Sequence, residues 1–186
     1  MYNERLLPWF GEGAAEAIFL KKGPNVRWAS GFKGADSYVL MTREGGFLIT
    51  DPRYTEQAGI EAPDFTVVDW RAAGGSVAKA VAQILKEQKL HSVAFEADAL
   101  SFNEYRALQA AADAELVPAE GVIEALRSVK TPQEIEYLRA ANGDLFCEAT
   151  PKKLGRKLSV IQVVVNDTEG KTVATGTFTF YMTRPG

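Results

Sequence analysis

The feature that most constrains this chain is a regular alternation of short apolar runs with helical segments over its first 142 residues. Runs such as Ser92–Glu96 have the length and composition of buried strands. Between such runs, Ser76–Lys89 has its apolar residues at helical spacing, and Ser101-Phe102-Asn103-Glu104 matches the capping box that begins a helix. Because strands that alternate with helices form a sheet covered on both faces, the pattern predicts an α/β fold.

Two neighbouring runs indicate that the sheet contains an antiparallel pair. Ser37–Met41 and Gly46–Thr50 are separated by Thr42-Arg43-Glu44-Gly45, which is typical of a β-hairpin. We therefore expect a mixed β-sheet with helices on both faces. The other predicted elements are helices at Thr55–Glu61 and Val122–Ser128, strands at Phe65–Asp69 and Leu116–Val117, and a helix that begins at Thr131-Pro132-Gln133-Glu134.

The pattern changes at Asn142-Gly143, beyond which no helical spacing occurs. Two long β-rich runs, Leu158–Asn166 and Lys171–Met182, flank a turn sequence that ends at Gly170, and Phe146–Thr150 is a candidate third strand. The sequence thus predicts two domains: an α/β domain over residues 1–142 and a C-terminal antiparallel β-meander over residues 143–186.

The charge balance disfavours nucleic acids and membranes as partners. The chain has 186 residues with 21 basic and 24 acidic side chains, a net charge of −3, and no block rich in Lys and Arg that would bind a phosphate backbone. No uncharged apolar stretch approaches the roughly 20 residues that a bilayer requires, and no secretory signal is recognisable. We expect a cytoplasmic protein.

A single histidine and a single cysteine restrict the chemistry of the chain. A catalytic zinc site commonly uses two or three histidines, and the acidic residues are scattered singly rather than grouped as metal ligands. We predict no catalytic residue, no metal and no cofactor. His91 follows a predicted helix, where a polar group is favourable, and Cys147 is expected to be a buried structural thiol.

Three motifs resemble the N-terminal domain of the creatinase, prolidase and Xaa-Pro aminopeptidase family. They are Asn25–Phe32 followed by Gly34–Ser37, then Leu48–Ala58, and finally Leu126–Arg139. In that family the metal ions belong to a C-terminal catalytic domain, to which nothing in this sequence corresponds. The resemblance implies a non-catalytic domain that gates substrate entry and contributes to oligomer contacts, with a missing catalytic domain as a possible partner.

The resemblance also suggests candidate substrate-binding residues. Arg53 and Tyr54 match positions near the substrate entrance of relatives, and Trp28 and Phe32 are candidates to line a pocket for a small apolar or proline-like group. The alternatives stay open: Asp51 and Arg53 would also suit a structural turn between strand and helix, and the two aromatic residues would also suit the core.

Residues 143–186 resemble something else, the last strands of a hotdog-fold acyl-CoA thioesterase, so that the whole chain is interpreted as a chimera. Arg156 falls where some such enzymes contact CoA phosphates, although a solvated turn is the simpler interpretation. An acyl-CoA thioesterase fragment, or part of a peptidase completed by another chain, is the alternative function. The apolar face of the meander must be covered, either by the α/β domain or, as we favour, by a second copy in a homo-oligomer.

Overall fold

The computed structural model describes residues 4–11, 15–135, 146–154 and 158–181, which divide into two units, residues 1–129 and residues 130–186. The predicted domain boundary at residue 142 lies outside the described residues, so it stays a prediction.

The first unit contains a six-stranded mixed sheet in the order β4-β3-β2-β1-β5-β6. Its strands are β1 (Ala17–Leu20), β2 (Tyr38–Thr42), β3 (Gly46–Thr50), β4 (Phe65–Asp69), β5 (Ser92–Glu96) and β6 (Glu115–Ala119). Only β2 runs antiparallel to its neighbours, while β1, β3, β4, β5 and β6 all run in one direction. The ends of these five strands therefore lie side by side, at Leu20, Thr50, Asp69, Glu96 and Ala119, and we call this the carboxyl edge.

Helices cover both faces of the sheet, as the sequence predicts. They are α1 (Leu7–Gly11), α2 (Gly23–Ser30), α3 (Thr55–Glu61), α4 (Val77–Glu87), α5 (Phe102–Ala111) and α6 (Val122–Ser128), with short 3₁₀ helices at Glu4–Leu6 and Pro52–Tyr54. One core cluster joins α1, α2, α3 and α6 to one face of the sheet, and a second joins α4 and α5 to the other. In β1, Ile18 and Leu20 pack into the first cluster and Ala17 and Phe19 into the second, which is the alternation of a strand buried on both sides.

The helix boundaries follow from local capping. The Ser76 side chain accepts the backbone N–H of Lys79 at the start of α4, and Ser101 forms the predicted capping box with Glu104 at the start of α5. Helix α2 ends at Gly31, whose φ of 78° is the left-handed conformation that glycine adopts without strain.

The second unit begins with the predicted capping box, in which Glu134 accepts the backbone N–H of Thr131 at 2.7 Å. Its three strands, β7 (Phe146–Leu154), β8 (Leu158–Asn166) and β9 (Thr172–Tyr181), form an antiparallel sheet in that order, which confirms the predicted meander. The register pairs Ile161 with Phe178 and Val163 with Gly176, so these residues share one apolar face.

Candidate functional site

The most concentrated group of charged side chains near the predicted site lies where β3 ends at the carboxyl edge. Asp51 follows β3 and accepts the backbone N–H of Arg53 through Oδ1 at 3.1 Å, which begins the 3₁₀ helix Pro52–Tyr54. The side chain of Asp51 is only 4% exposed. A carboxylate in this position is stable only when it is paired, and two arginines supply the pairing.

Arg53 and Arg71 both bind the Asp51 carboxylate. Arg53 Nε donates to Oδ1 at 2.8 Å, and Arg71 Nη2 lies 2.7 Å from Oδ2. The hydrogen bonds from the side chain and backbone of Arg53, together with the charge of Arg71, outweigh burial and hold the pKa of Asp51 below its ordinary value. Asp51 in turn raises the pKa of Arg53. The carboxylate therefore stays ionised and fixes two guanidinium groups that are 67% and 58% exposed.

Aromatic side chains support both guanidinium groups. Arg53 Cζ lies 5.5 Å from the centre of the Tyr54 ring, and Arg71 Cζ lies 5.3 Å from the centre of the Trp70 ring. Both distances are within the range of a cation–π interaction. The result is an exposed surface with two cationic groups, one buried anion and two aromatic rings.

Phe32 packs beneath this surface and does not reach it. It is 1% exposed and meets the Tyr54 ring edge to face, with 6.4 Å between the ring centres and an angle of 76°. Gly34 leaves room for the Phe32 ring, because a Cβ atom at residue 34 would lie 2.3 Å from Phe32 Cζ. The structure therefore brings Phe32, Arg53 and Tyr54 together, with Phe32 as the supporting layer.

Trp28, the fourth sequence-predicted residue, makes a different contact. It lies on α2, half-buried against the first core cluster, and its ring lies 5.4 Å from Arg5 Cζ. Arg5 also donates hydrogen bonds to the carbonyl oxygens of Leu126 and Val129. The assignment of the four residues to substrate binding stays a prediction.

A buried polar network lies further along the carboxyl edge, where β5 ends. Glu96, 5% exposed, accepts the backbone N–H groups of Lys21 and Lys22 at 2.6 and 2.7 Å and the side-chain amide of Asn25 at 2.5 Å. Asn25, which is fully buried, also donates to Glu124 at 3.0 Å. These bonds join β5, α2 and α6, and we assign the network a structural role.

The sequence model of the Creatinase/Prolidase N-terminal domain family matches residues 3–129 of this chain. The chain belongs to this family. The uncharacterized peptidase YqhT of Bacillus subtilis is 30% identical to it over 142 residues, which are 76% of this chain and 39% of YqhT. The chain thus spans about two fifths of the length of that curated relative.

Solved structures agree with this assignment. The N-terminal domain of the cytoplasmic peptidase PepQ from Mycobacterium tuberculosis is 30% identical with a TM-score of 0.60, and the match covers 66% of this chain and 95% of that one. The Xaa-Pro dipeptidase from Bacillus anthracis has a TM-score of 0.64 at 22% identity, which supports the fold alone, and the match covers 98% of this chain and 65% of that one.

The resemblance of residues 143–186 to a hotdog thioesterase, and with it the chimera, finds no support in these comparisons. Arg156 lies outside the described residues.

Cys147 is exposed, so the prediction of a buried thiol is wrong. It lies on β7 at the edge of a three-stranded sheet, and no described residue covers it there.

The described part of this creatinase-type domain contains no group of three or more His, Cys, Asp and Glu side chains placed to hold a metal ion. His91 is exposed just before β5, where its backbone N–H donates to Glu16 at 2.5 Å. Within the same residues, no helix has the length and apolar character that crossing a bilayer requires.

Sequence reasoning missed Arg71, Trp70 and Asn25 as members of these clusters. Arg71 follows β4 in the way that Arg53 follows β3, and β3 and β4 are parallel neighbours. The available signal was the pair of sequences Asp51-Pro52-Arg53 and Asp69-Trp70-Arg71, each of which lies where a strand ends. This signal becomes informative only when the two strands are known to be adjacent.

Proposed function

We propose that this domain is the non-catalytic, substrate-gating domain of an Xaa-Pro peptidase, a hydrolase whose metal-dependent catalytic domain lies in a longer protein or another chain. Membership of the creatinase/prolidase N-terminal family supports this function, as does the similarity to proteins named as peptidases. The relative PepQ is named a cytoplasmic peptidase, and we propose the same location here.

One observation carries the proposal: the buried Asp51 carboxylate holds two exposed guanidinium groups at the carboxyl edge. Each guanidinium has five N–H donors, and Asp51 occupies only some of them. Asp51, Arg53 and Arg71 together carry one net positive charge, beside the Asp69 carboxylate that accepts the backbone N–H of Arg71 at 2.8 Å. Arginine binds carboxylates in a bidentate manner. We propose that Arg53 and Arg71 bind the C-terminal carboxylate of a short peptide.

Of the residues predicted from the sequence, Arg53 and Tyr54 are proposed to contact the peptide. The exposed side chain of Arg53 supplies the charge, and the Tyr54 ring beneath it offers an apolar surface suited to a proline ring. Phe32 is proposed to position Tyr54 from below. A role for Trp28 rests on the family resemblance alone.

Calorimetric titration of the protein with glycyl-L-proline tests this assignment. Arg53→Ala and Arg71→Ala should each weaken binding by about tenfold, because each removes a charge-assisted hydrogen bond. Arg106→Ala is the matched control, since Arg106 also lies over an aromatic ring, 5.9 Å from the centre of Phe102, and has no part in this cluster. Glycyl-L-prolinamide, which lacks the carboxylate, should bind as weakly as the variants do.

If Arg53→Ala and the unaltered protein bind the dipeptide with equal affinity, Arg53 and Arg71 are not part of the substrate site.

The assignment of this domain as non-catalytic has a separate test. The purified chain with added Mn²⁺ should release no proline from an Xaa-Pro dipeptide, and sustained turnover would contradict it.

We further propose that the chain forms a homo-oligomer through its C-terminal strands. The apolar face of β7, β8 and β9 carries Ile161, Val163 and Phe178, and Phe178 is 51% exposed. Light scattering should therefore show a mass that depends on concentration. Phe178→Lys should shift that equilibrium towards the monomer, whereas a concentration-independent monomer would refute the proposal.

A further inference from the structure

A cavity of about 230 Å³ lies between the sheet and helices α4 and α5, in the first unit. Its apolar wall includes Phe19, Tyr38, Leu100 and Leu108. None of Asp51, Arg53, Tyr54, Trp70 and Arg71 lines it. Ala78 of α4 and Ala107 of α5 also line the cavity, and larger side chains at these positions would fill part of the space.

The volume of the cavity and the aromatic residues of its wall favour a small aromatic ligand. A dry cavity of about 150 Å³ holds a benzene ring, so this cavity has room for a ring with a short polar chain. Phe19 and Tyr38 lie nearly parallel, with 5.8 Å between ring centres and an angle of 13°. They form an aromatic surface on which a third ring can pack.

The lining of the cavity also includes a charged pair. Lys21 Nζ donates to Glu104 Oε2 at 2.5 Å, with 28% of the Lys21 side chain and 42% of the Glu104 side chain exposed. The Ser101 backbone N–H and hydroxyl bind the same Oε2 atom at 2.8 and 2.7 Å. All three donors therefore converge on one oxygen of the carboxylate.

This convergence leaves hydrogen-bonding capacity open at the cavity. Within the described residues, the other carboxylate oxygen of Glu104, Oε1, has no hydrogen-bond partner, and Lys21 Nζ uses one of its three N–H groups. The Tyr38 hydroxyl forms no hydrogen bond with any described residue either. An acceptor with negative charge and a donor with positive charge thus lie side by side in the lining of a largely apolar cavity.

We propose that this cavity binds a free α-amino acid with an aromatic side chain. The ring packs on Phe19 and Tyr38, the carboxylate accepts from Lys21 Nζ and the Tyr38 hydroxyl, and the ammonium group donates to Glu104 Oε1. A ligand with its ammonium and carboxylate groups on one carbon atom matches the Lys21–Glu104 pair, and a ligand with one charge leaves half of the pair unused. This inference does not rest on the proposed function.

Calorimetry on the full chain with L-phenylalanine tests the proposal. We expect saturable binding, at least about tenfold weaker for 3-phenylpropionate and phenethylamine, each of which lacks one of the two charges. Ala107→Phe should abolish binding by filling the cavity. Ala110→Phe, three residues further along α5 and outside the cavity, is the matched control and should leave the affinity unchanged.

Glu104→Gln gives a second, independent test. Glutamine at this position preserves the capping box of α5, because its side chain still accepts from the backbone of Ser101, but it removes the charge that binds the ammonium group. L-phenylalanine should then bind about tenfold more weakly, whereas 3-phenylpropionate, which has no ammonium group to lose a partner, should bind at least as well as before. No saturable binding of L-phenylalanine would overturn the proposal, as would equal affinity for 3-phenylpropionate or an Ala107→Phe variant that is folded by circular dichroism and binds normally.

Discussion

Replacement of Gly34 by alanine tests how tightly the layer beneath the candidate site is packed. The added Cβ atom would lie 2.3 Å from Phe32 Cζ and 2.6 Å from Cε1. Carbon atoms are in comfortable contact at about 3.5 Å, so the ring must move by roughly 1 Å. Phe32 is 1% exposed and packs against Tyr54, so we expect overpacking to lower the free energy of unfolding by about 1–3 kcal/mol.

A double-mutant cycle with Phe32→Leu tests whether the contact between the added methyl group and the Phe32 ring causes the loss of stability. Leucine lacks the far edge of the ring, so the methyl group that Gly34→Ala adds can occupy part of the space that this edge leaves. Phe32→Leu alone should cost about 1–2 kcal/mol through the cavity it creates. The double variant should be more stable than the sum of the two single effects predicts, by about 1 kcal/mol.

Urea denaturation followed by tryptophan fluorescence is the assay. All three tryptophans, Trp9, Trp28 and Trp70, belong to residues 1–129, so the signal reports on the first unit. Gly59→Ala is the control, because a Cβ atom there meets nothing within 4 Å and alanine favours helix α3 by up to about 1 kcal/mol. A Gly34→Ala variant within about 0.5 kcal/mol of the unaltered protein, or strictly additive effects in the cycle, would refute the reasoning.

Three further predictions concern the polar groups of the first unit. Asn25→Ala should lower the free energy of unfolding in urea by about 2 kcal/mol, because it leaves an oxygen of the buried Glu96 without its amide donor. Hydrogen bonding by Lys22 lowers the pKa of Glu124 from 4.5 to about 2, so this stabilisation is complete above pH 4.5 and is lost as the pH falls through 2. Because the Glu124 side chain is 40% exposed, the free energy of unfolding should fall by only about 1 kcal/mol at low pH. Melting curves of Glu124→Gln recorded over the same pH range should not show this fall. Ser101→Ala should lower the stability seen in thermal melts by about 1 kcal/mol through loss of the helix cap, and an unchanged melting temperature would contradict this.

The local elements of the fold were predictable because their signals are local. The bounds predicted for Thr55–Glu61, Phe65–Asp69, Ser92–Glu96 and Val122–Ser128 coincide with α3, β4, β5 and α6. Glycine, proline and capping side chains act within one turn of the chain, so a sequence displays them directly. The burial of Cys147 was predicted wrongly because it depends on what covers β7, which strand composition does not reveal.

The candidate site was only partly predictable because its members come together through strand adjacency. Motif resemblance drew attention to Arg53 and Tyr54, but Arg71 lies 18 positions after Arg53 and joins it only because β4 pairs with β3. The residues that line the cavity are also brought together by the arrangement of the strands. Lys21, Tyr38 and Glu104 are far apart in the sequence, and the order β2-β1 together with the placement of α5 brings them to one point.

The direction of β2 explains why both proposed sites lie at the carboxyl edge. Since β2 runs opposite to its neighbours, its first residue, Tyr38, lies between the end of β1, which leads to Lys21, and the end of β3, which leads to Asp51. The two sites differ in part in the face they use: Tyr54 packs into the core cluster that joins α2 and α3, whereas Phe19 and Tyr38 pack into the cluster of α4 and α5, as does Trp70. The two sites thus share an edge and, through Trp70, part of one layer. None of Asp51, Arg53, Tyr54, Trp70 and Arg71 lines the cavity, so a ligand can be lost from one site while the lining of the other stays intact.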